Sequence, residues 1–68
     1  MPGIYKITEL VGTSPHSFAE ATKVAVAEAA KTVRNMVWFE VVEERGQIVD
    51  GSVVEFQVKL KIGFKLER

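Results

Sequence analysis

Val54-Glu-Phe-Gln-Val-Lys-Leu-Lys-Ile-Gly-Phe-Lys-Leu-Glu67 alternates almost without interruption. Val54, Phe56, Val58, Leu60, Ile62, Phe64 and Leu66 are apolar. Between them stand Glu55, Gln57, Lys59, Lys61, Lys65 and Glu67, with Gly63 in the same phase. Side chains of a strand point alternately to opposite faces, so this run is a strand with one buried and one polar face. Asp50-Gly51 before it suits a tight hairpin. The partner strand is then about Met36 to Ile48.

In that partner, Val37, Phe39 and Val41 share one face and read as core-facing. Trp38, Glu40, Val42 and Glu44 share the other. The only tryptophan therefore stands among glutamates, on the face a monomer would show to water. An indole carries roughly 200 Å² of largely apolar surface, so a wet one forfeits a large burial. Its cover is a neighbouring subunit, a planar ligand or a nucleic-acid base. The last is poorly supported, since one aromatic is not a stacking platform and this face is not strongly basic.

Upstream, Ile4 to Thr13 reads as a strand rich in Ile, Val, Thr and Tyr, ended by Gly12-Thr13-Ser14-Pro15. Ser17 and Glu20 have capping-box spacing before an alanine-rich helix expected to reach Arg34. Lys31 and Arg34 suit its C-terminal end. Phe18, Ala21, Val26, Ala29 and Val33 lie on its apolar faces. The expected fold is α+β: β-α-β-β, a three-stranded antiparallel sheet packed on one helix, as a single domain over residues 1–68. A two-residue loop at Asp50-Gly51 sets Val49 opposite Ser52, Glu40 opposite Lys61 and Trp38 opposite Gly63. Gln57 falls on the Trp38 face but about six positions away, roughly 20 Å. One subunit cannot bring both to one ring.

A core of 68 residues needs reinforcement. There is no cysteine and one histidine, His16, so disulfides and histidine-rich metal sites are excluded. The helix spans about 26 Å and each long strand about 43 Å. The overhang, which includes Glu43 and Arg45 at inward parity, indicates assembly. Nine basic and nine acidic residues cancel, which gives no field for nucleic acid or an anionic membrane. No apolar run spans a membrane, and Met1-Pro2-Gly3 does not open a signal peptide. A cytoplasmic location is expected. No catalytic constellation is present: no nucleophile elbow, phosphate loop or metal-ligand spacing. His16 reads as a solvated turn residue, and Glu43-Glu44 point to opposite faces.

Several pieces in order resemble one family. They are Glu9-Leu-Val-Gly-Thr-Ser14, Lys31-Thr-Val-Arg-Asn35, Val37-Trp-Phe-Glu-Val-Val-Glu43 and Arg45-Gly46. Asp50-Gly51, Phe56-Gln-Val58 and Gly63-Phe-Lys-Leu66 complete the set. Together they resemble the dodecins, small flavin-binding proteins that assemble as hollow homododecamers of cubic symmetry. The resemblance implies a flavin stacked on Trp38 with its edge hydrogen-bonded by Gln57. It implies a phosphate on Arg45, hence FMN before riboflavin or FAD. Lys65 stands where many relatives carry arginine; it keeps the charge and loses the fork of donors. Glu43 matches a position where some members hold a metal, a role not carried over to this chain. A further phosphorylated ligand is open at Lys6, Arg34 and Lys65. The implied function is flavin storage, buffering and photoprotection without turnover. The alternatives are a structural oligomer with no ligand, a carrier of another phosphorylated cofactor, and a flavoenzyme, which the missing acid/base groups disfavour.

Overall fold

The computed structural model describes residues 3–66. The elements are β1 (Tyr5–Ser14), α1 (Phe18–Ala29), β2 (Met36–Val49) and β3 (Ser52–Lys65). They form one three-stranded sheet in the order β1-β3-β2, antiparallel throughout. Glu67, assigned from sequence to the polar face of the last strand, lies outside the described residues, as do Met1 and Pro2.

The turn into α1 is held by side chains. Ser17 caps the helix, its Oγ accepting from the Glu20 amide at 3.0 Å. The Glu20 carboxylate does not return to Ser17; its Oε2 accepts from the Ser14 hydroxyl at 2.8 Å. Ser14 Oγ in turn accepts from the amides of His16 and Ser17, at 2.9 and 3.3 Å. Buried Ser14 thus satisfies three partners, while His16 is exposed.

α1 lies mainly across β1 and β3. Ala21, Ala25 and Ala29, four residues apart, meet Val58, Leu60 and Ile62 from the apolar face of β3. Gly12 of β1 permits the approach. A Cβ there would overlap the Ala21 carbonyl and come 2.7 Å from the Ala25 Cβ. Leu10, Phe18, Val26, Val33 and Met36 pack around this small core. Phe18 meets Phe56 edge-on, with ring centroids 5.0 Å apart.

Two expectations about the helix and the core are corrected. The helix ends at Ala29, not Arg34. The amides of Lys31, Thr32 and Val33 fold back on the Glu28 and Ala29 carbonyls at 3.2, 3.1 and 2.8 Å. β-Branched Thr32 and Val33 are poor helix formers, and Asn35 then turns left-handed at φ 63° to enter β2. Lys31 and Arg34 therefore lie beyond the last helical turn. Second, Val37, Phe39 and Val41 are not in the core of the chain: they remain 44–58% exposed. A helix about 10 Å wide covers roughly two strands spaced about 4.8 Å apart, and β2 is the third.

The β2–β3 hairpin turns at Asp50 and Gly51, both at positive φ (52° and 77°), as its two-residue loop requires. Val49–Ser52, Glu40–Lys61 and Trp38–Gly63 stand opposite one another. Between these fixed points the register moves twice. β2 carries one unpaired residue at Val42, and β3 compensates with one at Val54. A bulge inverts the parity of every residue beyond it. Glu43, Arg45 and Gln47 therefore oppose Lys59, Gln57 and Glu55 on the polar face. The expected inward parity of Glu43 and Arg45 is thereby corrected.

Candidate functional site

The polar face, opposite α1, carries two groups of residues. At one end Trp38 rests on Gly63 of the central strand. A Cβ at Gly63 would overlap the Cζ2 and Cε2 atoms of the indole, so only glycine lets the ring lie flat against the sheet. Tyr5 on β1 flanks it, with ring centroids 5.4 Å apart at 55°. The indole is still 40% exposed. Lys65, opposite Tyr5 on the same face, is exposed, and its backbone is held by the Asn35 carbonyl at 3.0 Å. Lys6 lies opposite Phe64, on the helix side of the sheet, so Lys6 and Lys65 do not form one patch.

At the other end Arg45 and Gln57 are direct cross-strand partners. Arg45 Nε donates to Gln57 Oε1 at 2.8 Å, and Arg45 Nη1 donates to Glu43 Oε1 at 2.9 Å. Gln57 Nε2 donates to Glu55 Oε1 at 2.8 Å. Four polar side chains thus form one chain of hydrogen bonds on the outer face. The Glu43–Arg45 pair is half exposed, which keeps its contribution to stability small.

The structure therefore brings Gln57 and Arg45 together and leaves Trp38 apart from both. Gln57 is six residues from Gly63 along β3, about 20 Å. Glu40, Lys61, Lys59, Glu9, Ile7 and Val11 fill the face between them. Sequence reasoning missed Glu55 and Tyr5. Glu55 was visible as an outward acid two residues before Gln57; the meeting of Gln57 with Arg45 was set by the Val42 bulge, which no periodicity signals. Tyr5 was obscured by the imperfect alternation of β1.

Two grooves lie along β2. The larger, about 560 Å³, runs between α1 and Phe39 along Ala19, Thr22, Lys23, Val26 and Ala27. The smaller, about 220 Å³, is lined by Val26, Met36, Val37, Trp38, Phe39 and Ile62. They mark the apolar surface that α1 leaves uncovered. Among the described residues no three His, Cys, Asp or Glu side chains gather in a group fit to hold a metal. No described helix is long and apolar enough to cross a membrane.

The chain is similar to known proteins over nearly its whole length. The family model described as Dodecin matches residues 4–67. The dodecin of Thermus thermophilus is 49% identical over 67 residues, covering 98% of this chain and 97% of that protein. The structure of dodecin from Streptomyces davaonensis superposes with a TM-score of 0.95 at 41% identity, covering 100% of both chains. A Mycobacterium tuberculosis relative named calcium dodecin is 29% identical, covering 93% of this chain and 89% of its own.

Proposed function

The chain belongs to the dodecin family, a family of small binding proteins rather than enzymes, and from that premise we propose that it binds a flavin for storage, buffering and photoprotection. The flavin is FMN in the first place, with riboflavin and FAD as lesser ligands. The observation that carries this reading is the indole of Trp38, laid on the bare backbone of Gly63 and still open on the sheet face opposite α1. An isoalloxazine ring is flat, and stacking on an aromatic suits it without demanding a particular edge. Gln57 offers a donor and an acceptor to the ring edge. Arg45 offers a guanidinium to the phosphate, and Lys65 a point charge near the indole.

The separation of about 20 Å between Trp38 and Gln57 makes the site a product of assembly. Trp38 of one subunit and Gln57 of another would meet at one ring within a homododecamer. The uncovered apolar face of β2 supports such an assembly. A bound indole is an electron donor in van der Waals contact with the flavin, and so it quenches the excited ring before side reactions begin. A cytoplasmic location accompanies the reading, on the cysteine-free sequence. No nucleic-acid or membrane partner is proposed. A calcium role gains no support from Glu43, whose carboxylate is engaged by Arg45.

The test is the visible absorption spectrum of the purified native protein, with the released chromophore identified by mass. A yellow protein releasing FMN is expected. A fully assembled, colourless protein that leaves the fluorescence of added FMN and riboflavin unquenched would instead be a structural oligomer.

A further inference from the structure

The hydrogen bonds around Gln57 fix more than its position. A glutamine amide has two lone pairs on Oε1 and two N–H groups on Nε2, and its two ends are alike in shape. Here Arg45 donates to Oε1 and Glu55 accepts from Nε2, each at 2.8 Å. Turned by half a revolution, the amide would set N–H against N–H at Arg45 and oxygen against carboxylate at Glu55. Two charge-assisted hydrogen bonds would become two repulsions, so one orientation is strongly favoured. One lone pair and one N–H then remain for a ligand.

We propose that Arg45 and Glu55 act as a clamp that sets the Gln57 amide, with Glu55 as a positioning residue that need not touch the ligand. The ligand class this selects is a planar ring whose edge carries a carbonyl beside an imide N–H, the pattern on the pyrimidine edge of a flavin. The inference rests on the reading that Gln57 meets that edge. It gives Arg45 two tasks. A guanidinium has five N–H donors; one serves Gln57 and one serves Glu43, which leaves three for a phosphate. Arg45 therefore matters even to a flavin without a phosphate. Glu55 shares the face of Gln57 because the two stand two residues apart on β3, and the Val42 bulge brings Arg45 to that face from β2.

The experiment titrates riboflavin and N3-methylriboflavin, by fluorescence quenching, against the assembled protein and four variants. These are Glu55→Ala, Glu55→Gln, Arg45→Ala and Gln57→Ala. Glu55→Ala is expected to weaken riboflavin by about 3–10-fold, the range for one lost hydrogen bond. It is also expected to narrow the preference for riboflavin over its N3-methyl analogue, since the amide can then reverse. Glu55→Gln, whose amide oxygen still accepts, should restore most of both. Arg45→Ala should weaken riboflavin by a similar factor, although riboflavin has no phosphate.

Wild-type affinity and preference in Glu55→Ala, beside a loss in Gln57→Ala, overturn the clamp while leaving the flavin reading intact. No effect of Gln57→Ala removes the edge contact itself, and the clamp with it. If Glu55→Ala does not assemble, Arg45→Ala decides: riboflavin affinity unchanged in that variant overturns the inference.

Discussion

At the scale of single residues, the indole and the glycine beneath it form one unit. Trp38→Ala is expected to weaken flavin binding by about 1–3 kcal/mol, the range for losing an aromatic stack. Any flavin still bound should regain its emission. Unchanged affinity with unchanged quenching would make Trp38 interface packing. Gly63→Ala tests the other half of the unit. Its Cβ would overlap the indole, so the ring must lift off the sheet. Flavin affinity is expected to fall while helical and strand content, read by circular dichroism, stays put. A Gly63→Ala protein that binds flavin normally would show that the seat of the indole is not part of the site.

At the scale of elements, two local devices decide the arrangement. One is the contact of α1 with β1 at Gly12, where no Cβ fits. Gly12→Ala should therefore destabilise by about 1–3 kcal/mol, the usual cost of overpacking a tight contact. Chemical denaturation reads this directly, and a midpoint equal to wild type would contradict the packing described. The other device is the bulge at Val42. Removing the unpaired Val42 takes out the bulge and leaves Glu43 opposite Lys59 and Arg45 opposite Gln57, on the same face as before. The deletion should therefore keep any preference for FMN over riboflavin, with Trp38, before the bulge, still opposite Gly63. Loss of the FMN preference in the deletion would show that the cross-strand pairing alone does not place Arg45 for the phosphate.

At the scale of the whole molecule, a chain 54 Å long and 13 Å thick is too thin to be self-sufficient. Its buried core comprises three alanines and three residues of β3. Ile48, Val49, Val53 and Val54 at the hairpin tip and Val37, Phe39 and Val41 along β2 are all left exposed. Burial of such surface is the main favourable term in association, so a stable folded monomer is not expected. Sedimentation at micromolar concentration should show a dodecamer whose unfolding midpoint rises with protein concentration. A folded monomer or simple dimer as the main species would end this reading of the quaternary structure. If the flavin site forms only where subunits meet, flavin should raise the unfolding midpoint, because it then binds the assembly and not the unfolded chain.

The sequence by itself determined the order of the elements, the tight turn at Asp50-Gly51 and the opposition of Trp38 to Gly63. The turn follows from a backbone that needs positive φ, and the count from it reaches Trp38 opposite Gly63 because the unpaired residues at Val42 and Val54 cancel. It also set Trp38 and Gln57 on one face, because both keep the phase of the clearest strand. Tertiary structure decided the rest. α1 stops at Ala29 because the chain must turn back to the sheet, and it leaves most of β2 uncovered because one helix covers about two strands. The pairing of Arg45 with Gln57 arises from one unpaired residue in β2, answered by one in β3. A bulge leaves composition and hydrophobicity unaltered while exchanging the faces of every residue beyond it. Parity counted along the sequence therefore fails at Val42, and only the partner strand shows where Arg45 points.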